Sequence, residues 1–178
     1  MRNEKGFVGV VAVVLIVIGF AFLLYGYTTR VNVTPVAAGV KEKFPIPNGF
    51  LNDFAGVLSK DAIARITAKV SGFKGTAEIA VVTVKDMGGE TIEGYANGFY
   101  NAWGIGKKGK DNGVLLIIAV KERKVRIEVG YGLEPVLPDS IAKRIIDTNM
   151  VPHLKKNDFS KGMEAGVDGV IKRLQEKK

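Results

Sequence analysis

An uncharged run from Phe7 to Tyr27, FVGVVAVVLIVIGFAFLLYGY, constrains this chain more than any other feature. At about 1.5 Å rise per residue, its 21 residues would cross the ~30 Å hydrocarbon layer of a bilayer as a helix. Apolar side chains on every face, with no polar stripe, suit lipid better than a protein core. A cleaved signal peptide would have an apolar core of about 7–15 residues and a small-residue cleavage site close behind it. Here Val36-Ala37-Ala38 comes well after Arg30. The run is therefore expected to be a retained single-pass anchor, with residues 1–6 as a short tail. Arg2 and Lys5 precede it while Arg30, Lys41 and Lys43 follow it, so the positive-inside count leaves orientation open.

Residues 28–50 carry Pro35, Pro45 and Pro47 and no sustained hydrophobic period, which reads as an extended linker. Residues 51–178 remain for one α/β domain, enough for a single hydrophobic core. A chain with 47% hydrophobic and 25% charged residues is not disordered overall. It contains no cysteine, which excludes a disulfide framework, a thiolate metal site and a cysteine nucleophile. The net charge of +8 is diffuse. With no recognisable nucleic-acid module or stacked aromatic set, nucleic acid is not an expected partner.

Hydrophobic periods give the order of elements. Ser59 caps a helix whose Ile63, Ile66, Val70 and Phe73 share a stripe, and Ala77 to Val84 reads as a strand covered on both sides. Ile92, Tyr95, Ala96, Phe99, Tyr100 and Trp103 form the stripe of a second helix. The apolar run Val114 to Val120 then follows as a parallel strand through a right-handed crossover. Lys124 to Gly130 alternates and closes a hairpin with it. Pro138-Asp139 starts a third helix, expected to stop at Pro152, and Asp158 or Ser160 starts a fourth. Gly162, Gly166 and Gly169 lie along one side of that last helix, for which close packing against the sheet is the expected reason. These elements predict a small mixed sheet with helices on both faces.

The hairpin also predicts a site. The loop before Val114 and the loop after Gly130 meet at one sheet edge, bringing Asp111, Asn112 and Gly113 toward Gly130, Tyr131, Gly132, Glu134 and Asp139. The loop of Trp103, Gly104 and Gly106 is expected beside them. Hard oxygen donors of this kind suit Ca²⁺ or Mg²⁺, with Asp111, Asn112, Glu134 and Asp139 as candidate ligands. A structural role competes, with Asp139 capping its helix and Asp111-Asn112-Gly113 turning the chain. Gly104-Ile105-Gly106-Lys107-Lys108-Gly109 fits G-x-G-x-x-G, but it follows a helix and precedes a strand, the reverse of a dinucleotide site. His153, the sole histidine, has no nucleophile motif pointing to it.

Asn52-Asp53-Phe54-Ala55-Gly56-Val57-Leu58-Ser59, the stretch WGIGKKGKDNGVLLIIAVKERKVRIEVGYGLEPVLPDS from Trp103 to Ser140, and Pro152 followed by Asn157-Asp158-Phe159 together resemble the TPM domain, also called YgcG-like. Pro135 and Pro138 depart from the small or polar residues expected there. The resemblance implies a three-layer α/β/α sandwich, usually exported and tethered to a membrane, which favours a cell-membrane location with the domain extracytoplasmic. It further implies a role in assembling, repairing or modulating membrane protein complexes, and in some members divalent-metal binding or acid phosphatase activity. The leading expectation is an anchored accessory module with a membrane protein partner. The alternative is a metal-assisted phosphomonoesterase acting on a small phosphorylated substrate, with Asp53 or Asp111 as nucleophile or base.

Overall fold

A computed structural model describes residues 43–176. The tail, the anchor expected at Phe7–Tyr27 and most of the linker lie outside the described residues. Among the described residues no helix is long and apolar enough to cross a membrane.

Four strands form one mixed sheet: β1 (Leu51–Asp53), β2 (Glu78–Val84), β3 (Gly113–Ala119) and β4 (Lys124–Val129), side by side in chain order. β1, β2 and β3 are parallel, with Glu78 opposite Gly113 and Val84 opposite Ala119, and β4 returns antiparallel with Val114 opposite Val129. All seven residues of β3 are buried. That explains its unbroken apolar run, since each fully buried Leu or Ile contributes about 1.5–3 kcal/mol.

Helices cover both faces. On one, α1 (Lys60–Gly72) and α5 (Phe159–Gln175) pack Ile66, Val70, Met163, Val167 and Val170 over Val81, Leu116 and Ile118. On the other, α2 (Ile92–Trp103) packs Ala96 and Phe99 over Val82, Leu115 and Ile117. The successive crossovers step the same way across the sheet yet pass over opposite faces, so they have opposite hands and the right-handed rule holds for only one of them. α1 begins at Ser59, whose hydroxyl accepts from the Ala62 amide (3.2 Å), and α2 begins in the same way at Thr91 (3.2 Å).

Two expectations need correction. The third helix does not stop at Pro152. α3 (Asp139–Ile145) runs through a widened turn at Ile146–Met150 into α4 (Val151–Leu154). A wide turn tolerates proline because Pro152 has no amide to pair and its ring would clash with a carbonyl in a regular helix interior. The glycines of α5 serve this segment rather than the sheet. A Cβ at Gly162 would sit 2.7 Å from Leu154, one at Gly166 2.7 Å from Met150, and one at Gly169 2.8 Å from Ile145.

The segment from Lys43 also belongs with the fold instead of the linker. Phe44 packs on Tyr95 and Phe99, with ring centroids 5.4 and 4.5 Å away, and Trp103 Nε1 donates to the Pro45 carbonyl (2.8 Å). The compact unit accordingly begins at Lys43.

Outside the core, α1 and α5 are tied by charge. Glu164 takes Arg65 at 2.9 Å and Lys69 at 3.0 Å, and Lys69 also reaches Asp168 at 2.7 Å. The Arg65 guanidinium holds the Glu164 carboxyl below its ordinary range, more than partial burial raises it. A carboxyl depressed in the folded state adds stability above its unfolded value, and that stability is lost as pH falls through the folded value. Glu164→Gln is expected to cost about 1 kcal/mol at neutral pH and to unfold with a weaker pH dependence below about pH 4. Urea titrations across that window would show the two proteins converging at the acid end.

Candidate functional site

The parallel start of β3 and the antiparallel end of β4 lie at one edge of the sheet, and backbone bonds close the loops over it. The Gly130 amide donates to the Gly113 carbonyl (2.9 Å) and the Gly132 amide to the Asp111 carbonyl (3.0 Å). Asp111 stands at φ 44 to make this turn. A cavity of about 370 Å³ opens there, with Asp111, Glu134 and Asp139 on its wall together with Gly130 and Tyr131. Tyr131 is 81% exposed at the rim. Asp139 occupies the first turn of α3, behind the cap position held by Pro138.

The remaining candidates do other work. Asn112 is buried; its side-chain oxygen accepts from the Lys107 amide (2.8 Å) and its nitrogen donates to the Thr76 carbonyl. It pins the glycine-lysine loop to the start of β2 and has no oxygen turned to the cavity wall. Trp103 stacks edge-on against Phe99 and Phe54, at 5.0 and 6.2 Å between centroids, and is a packing residue. Gly104 ends α2 in the left-handed conformation (φ 59). A Cβ on Gly106 would lie 2.7 Å from the Gly113 amide nitrogen, so this glycine lets two backbones meet.

Asp53 lies near the opposite end of the sheet. Its partner across the sheet is Thr83, toward the far end of β2, whereas the acidic edge is at Glu78 and Gly113. Its carboxylate accepts from the Val57 amide (3.2 Å), the Leu58 amide (2.9 Å) and the Thr83 hydroxyl. Those bonds organise the turn into α1. His153 sits on α4, and its carbonyl accepts from the Lys156 and Asp158 amides.

Five polar lining residues escaped the sequence reading: Asn97, Tyr100, Asn101, Arg126 and Glu128. Arg126 and Glu128 are polar members of the alternating Lys124 to Gly130 segment, and α2 crosses the face they occupy. Arg126 Nε bonds Glu128 at 2.6 Å, Asn97 donates to Glu128 at 3.4 Å and Asn101 to Asn97 at 2.9 Å. The Tyr100 hydroxyl is buried with no hydrogen-bond partner among the described residues. Burial raises its pKa, and the nearby Gly113 amide only partly offsets this.

The cavity therefore presents four carboxylates, of Asp111, Glu128, Glu134 and Asp139, against one guanidinium that Glu128 already holds. Within a basic chain this is a locally negative surface that attracts cations. The donor set suits a hard cation, but among the described residues no three His, Cys, Asp or Glu groups come close enough to hold a metal ion. Among the described residues, neither a serine nor a histidine lines this cavity as half of a nucleophile–base pair.

The sequence matches the TPM domain family over residues 51–173. Among solved structures it is similar to the N-terminal domain of a P. gingivalis protein, at 32% identity and TM-score 0.66, over 71% of this chain and 82% of that one. The BA42 protein of the psychrophilic Bizionia argentinensis shares the fold at 17% identity and TM-score 0.58, over 67% and 82% of the two chains. The N-terminal domain of a Corynebacterium glutamicum protein shares it at 18% and 0.55, over 73% and 87%. No curated protein matches. With that family match spanning most of the chain, and a relative in which nearly one residue in three is identical, this protein belongs to the TPM domain family.

Proposed function

We propose that this protein is a membrane-anchored accessory module whose extracytoplasmic domain binds a divalent cation at the acidic cavity and uses it in contacts with a membrane protein complex. The observation that carries this is the gathering of Asp111, Glu134 and Asp139 from separate segments around one cavity, with Glu128 beside them. Carboxylates that stand apart in the free domain imply weak, closure-dependent binding. A dissociation constant of about 0.1–1 mM, the range of extracellular calcium modules, is expected. The anchor is supported by the apolar run Phe7–Tyr27.

The alternative, metal-assisted phosphomonoester hydrolysis, needs the same cation in place first. A phosphate dianion would meet four carboxylates and one occupied guanidinium unless a cation arrived first.

Residues 43–178 form one compact unit, and related N-terminal domains were solved in solution on their own, so this segment can be titrated alone. Ca²⁺ is expected to shift amide resonances of residues 110–113 and 130–139, with Asp111→Asn and Glu134→Gln each weakening binding by about tenfold. Saturable binding elsewhere, or no change in either variant, would refute the site. Because the chain has no cysteine, Lys108→Cys offers a single label: an impermeant maleimide should modify it in intact cells. Labelling only after lysis would place the domain on the other side.

A further inference from the structure

A second cavity lies at the opposite end of β3, beyond the β3–β4 turn, where that hairpin meets the corner between α4 and α5. Its volume is about 380 Å³. Ile118, Val120, Val125, Val151, Leu154 and Phe159 form an apolar interior. The other lining residues are Arg123, Lys124, Lys155 and Asn157, and no carboxylate is among them. The seven residues of β3 separate this groove from the acidic cavity by roughly 20 Å, so the two are distinct.

The mouth is built by two turns. Arg123 at φ 53 and Asn157 at φ 58 both take the left-handed conformation, and the Arg123 guanidinium donates to the Asn157 side-chain oxygen across the opening (3.3 Å). Of the neighbouring acids, Glu122 accepts from the Met87 amide through one oxygen (3.1 Å) while its other oxygen is buried without a hydrogen-bond partner among the described residues, and Asp158 caps α5 and lies 3.4 Å from Lys161. Lys124 and Lys155 are exposed and form no ion pair among the described residues.

An apolar slot rimmed by three cations complements one kind of small molecule. We propose that it binds a single-chain anionic amphiphile, a fatty-acid carboxylate. The alkyl chain lies on the apolar residues and the carboxylate sits between Arg123, Lys124 and Lys155. Each methylene buried there tightens binding about fourfold, while the guanidinium and ammonium groups select an anion by charge-assisted hydrogen bonds. The volume stands at the low end of ligand cavities, about 300–1,000 Å³, which fits one medium-length chain.

Titration of ¹⁵N-labelled residues 43–178 with dodecanoate below its micelle concentration tests this. Saturable shifts confined to residues 118–125 and 151–159 are expected. Dodecanol, which lacks the charge, and butyrate, which lacks the chain, should each bind at least about tenfold more weakly. The exposed double substitution Lys124→Glu/Lys155→Glu should weaken dodecanoate by about tenfold or more with the spectrum otherwise intact. Leu154→Trp should block the slot, and Lys108→Glu, a charge reversal at an exposed position at the other end of β3, should leave dodecanoate affinity unaltered. The proposal is overturned if dodecanol or butyrate binds as tightly as dodecanoate, if the charge reversal leaves affinity unaltered, or if an acidic–apolar peptide saturates the groove where dodecanoate does not.

Discussion

Alanine at Asp53 is expected to lower the unfolding free energy of the domain by about 2–4 kcal/mol, as the loss of several hydrogen bonds to one charged group implies. The carboxylate holds the Val57 and Leu58 amides and the Thr83 hydroxyl. Thr83 is fully buried, and its hydroxyl also accepts from the Ala55 amide (3.2 Å). Removing Asp53 leaves the Thr83 donor and two turn amides without acceptors where water reaches poorly, which is the costly case. Asp53→Asn keeps one acceptor oxygen and should fall between. By contrast Asp111→Ala, at an exposed position whose left-handed φ of 44 suits aspartate better than alanine, should cost only about 1 kcal/mol. Urea unfolding of the three variants, each paired with a Ca²⁺ titration, separates the roles. Asp53→Ala should be the less stable protein but bind Ca²⁺ like the parent while it remains folded, and Asp111→Ala should stay closer to the parent in stability but bind poorly. An Asp53→Ala protein of parental stability would return Asp53 to the list of chemical candidates.

The order of strands and helices was legible because burial on both faces leaves a distinct mark. Val114 to Val120 admits no polar residue, and a strand of that kind needs helices over both its faces. Pro152 misled for a local reason. Proline forbids one hydrogen bond and one carbonyl position, and a single widened turn removes both conflicts without ending the helix. The α5 glycines were read correctly as a packing surface, but the sequence does not name the neighbour. Helix and sheet demand the same small residue, and only the path of Asp139–Leu154 decides between them. Phe44 was lost among prolines, because an isolated aromatic in an extended segment has no period to reveal it.

The acidic edge followed from chain direction alone. An antiparallel hairpin returns the residues after Gly130 to those before Val114, and Asp111 and Glu134 both line the cavity at that end. Asn112 fits the same arithmetic and yet is buried, its side chain spent on the Lys107 amide and the Thr76 carbonyl. Arg126, Glu128 and Tyr100 could not be placed in this way. Their arrival depends on where α2 crosses the sheet, and hydrophobic spacing sets which side of a helix is buried without fixing its position over the strands.

Alanine at Gly130 should cost about 2–4 kcal/mol, combining overpacking with disturbance of the backbone bond that Gly130 gives to Gly113. The conformation is not the obstacle, since φ is −69 and any residue adopts it. The obstacle is space: a Cβ there would overlap the Asp111 carbonyl oxygen and the Tyr100 hydroxyl. The two contacts differ in how they can yield. Tyr100→Phe removes a buried oxygen that has no partner among the described residues, so alone it should be neutral or stabilise by up to about 1 kcal/mol. In the double variant it relieves only the side-chain half of the clash. The Asp111 carbonyl is held by the Gly132 amide at 3.0 Å and cannot retreat without opening the loop that carries the Asp111 carboxylate. A double-mutant cycle by urea unfolding should therefore show coupling of about 0.5–1.5 kcal/mol and incomplete rescue, with Ca²⁺ binding impaired in both proteins that carry alanine. Full rescue by Tyr100→Phe would show that the loop backbone yields freely, and would remove the link drawn here between the tight closure of β3 on β4 and the placement of the acidic groups.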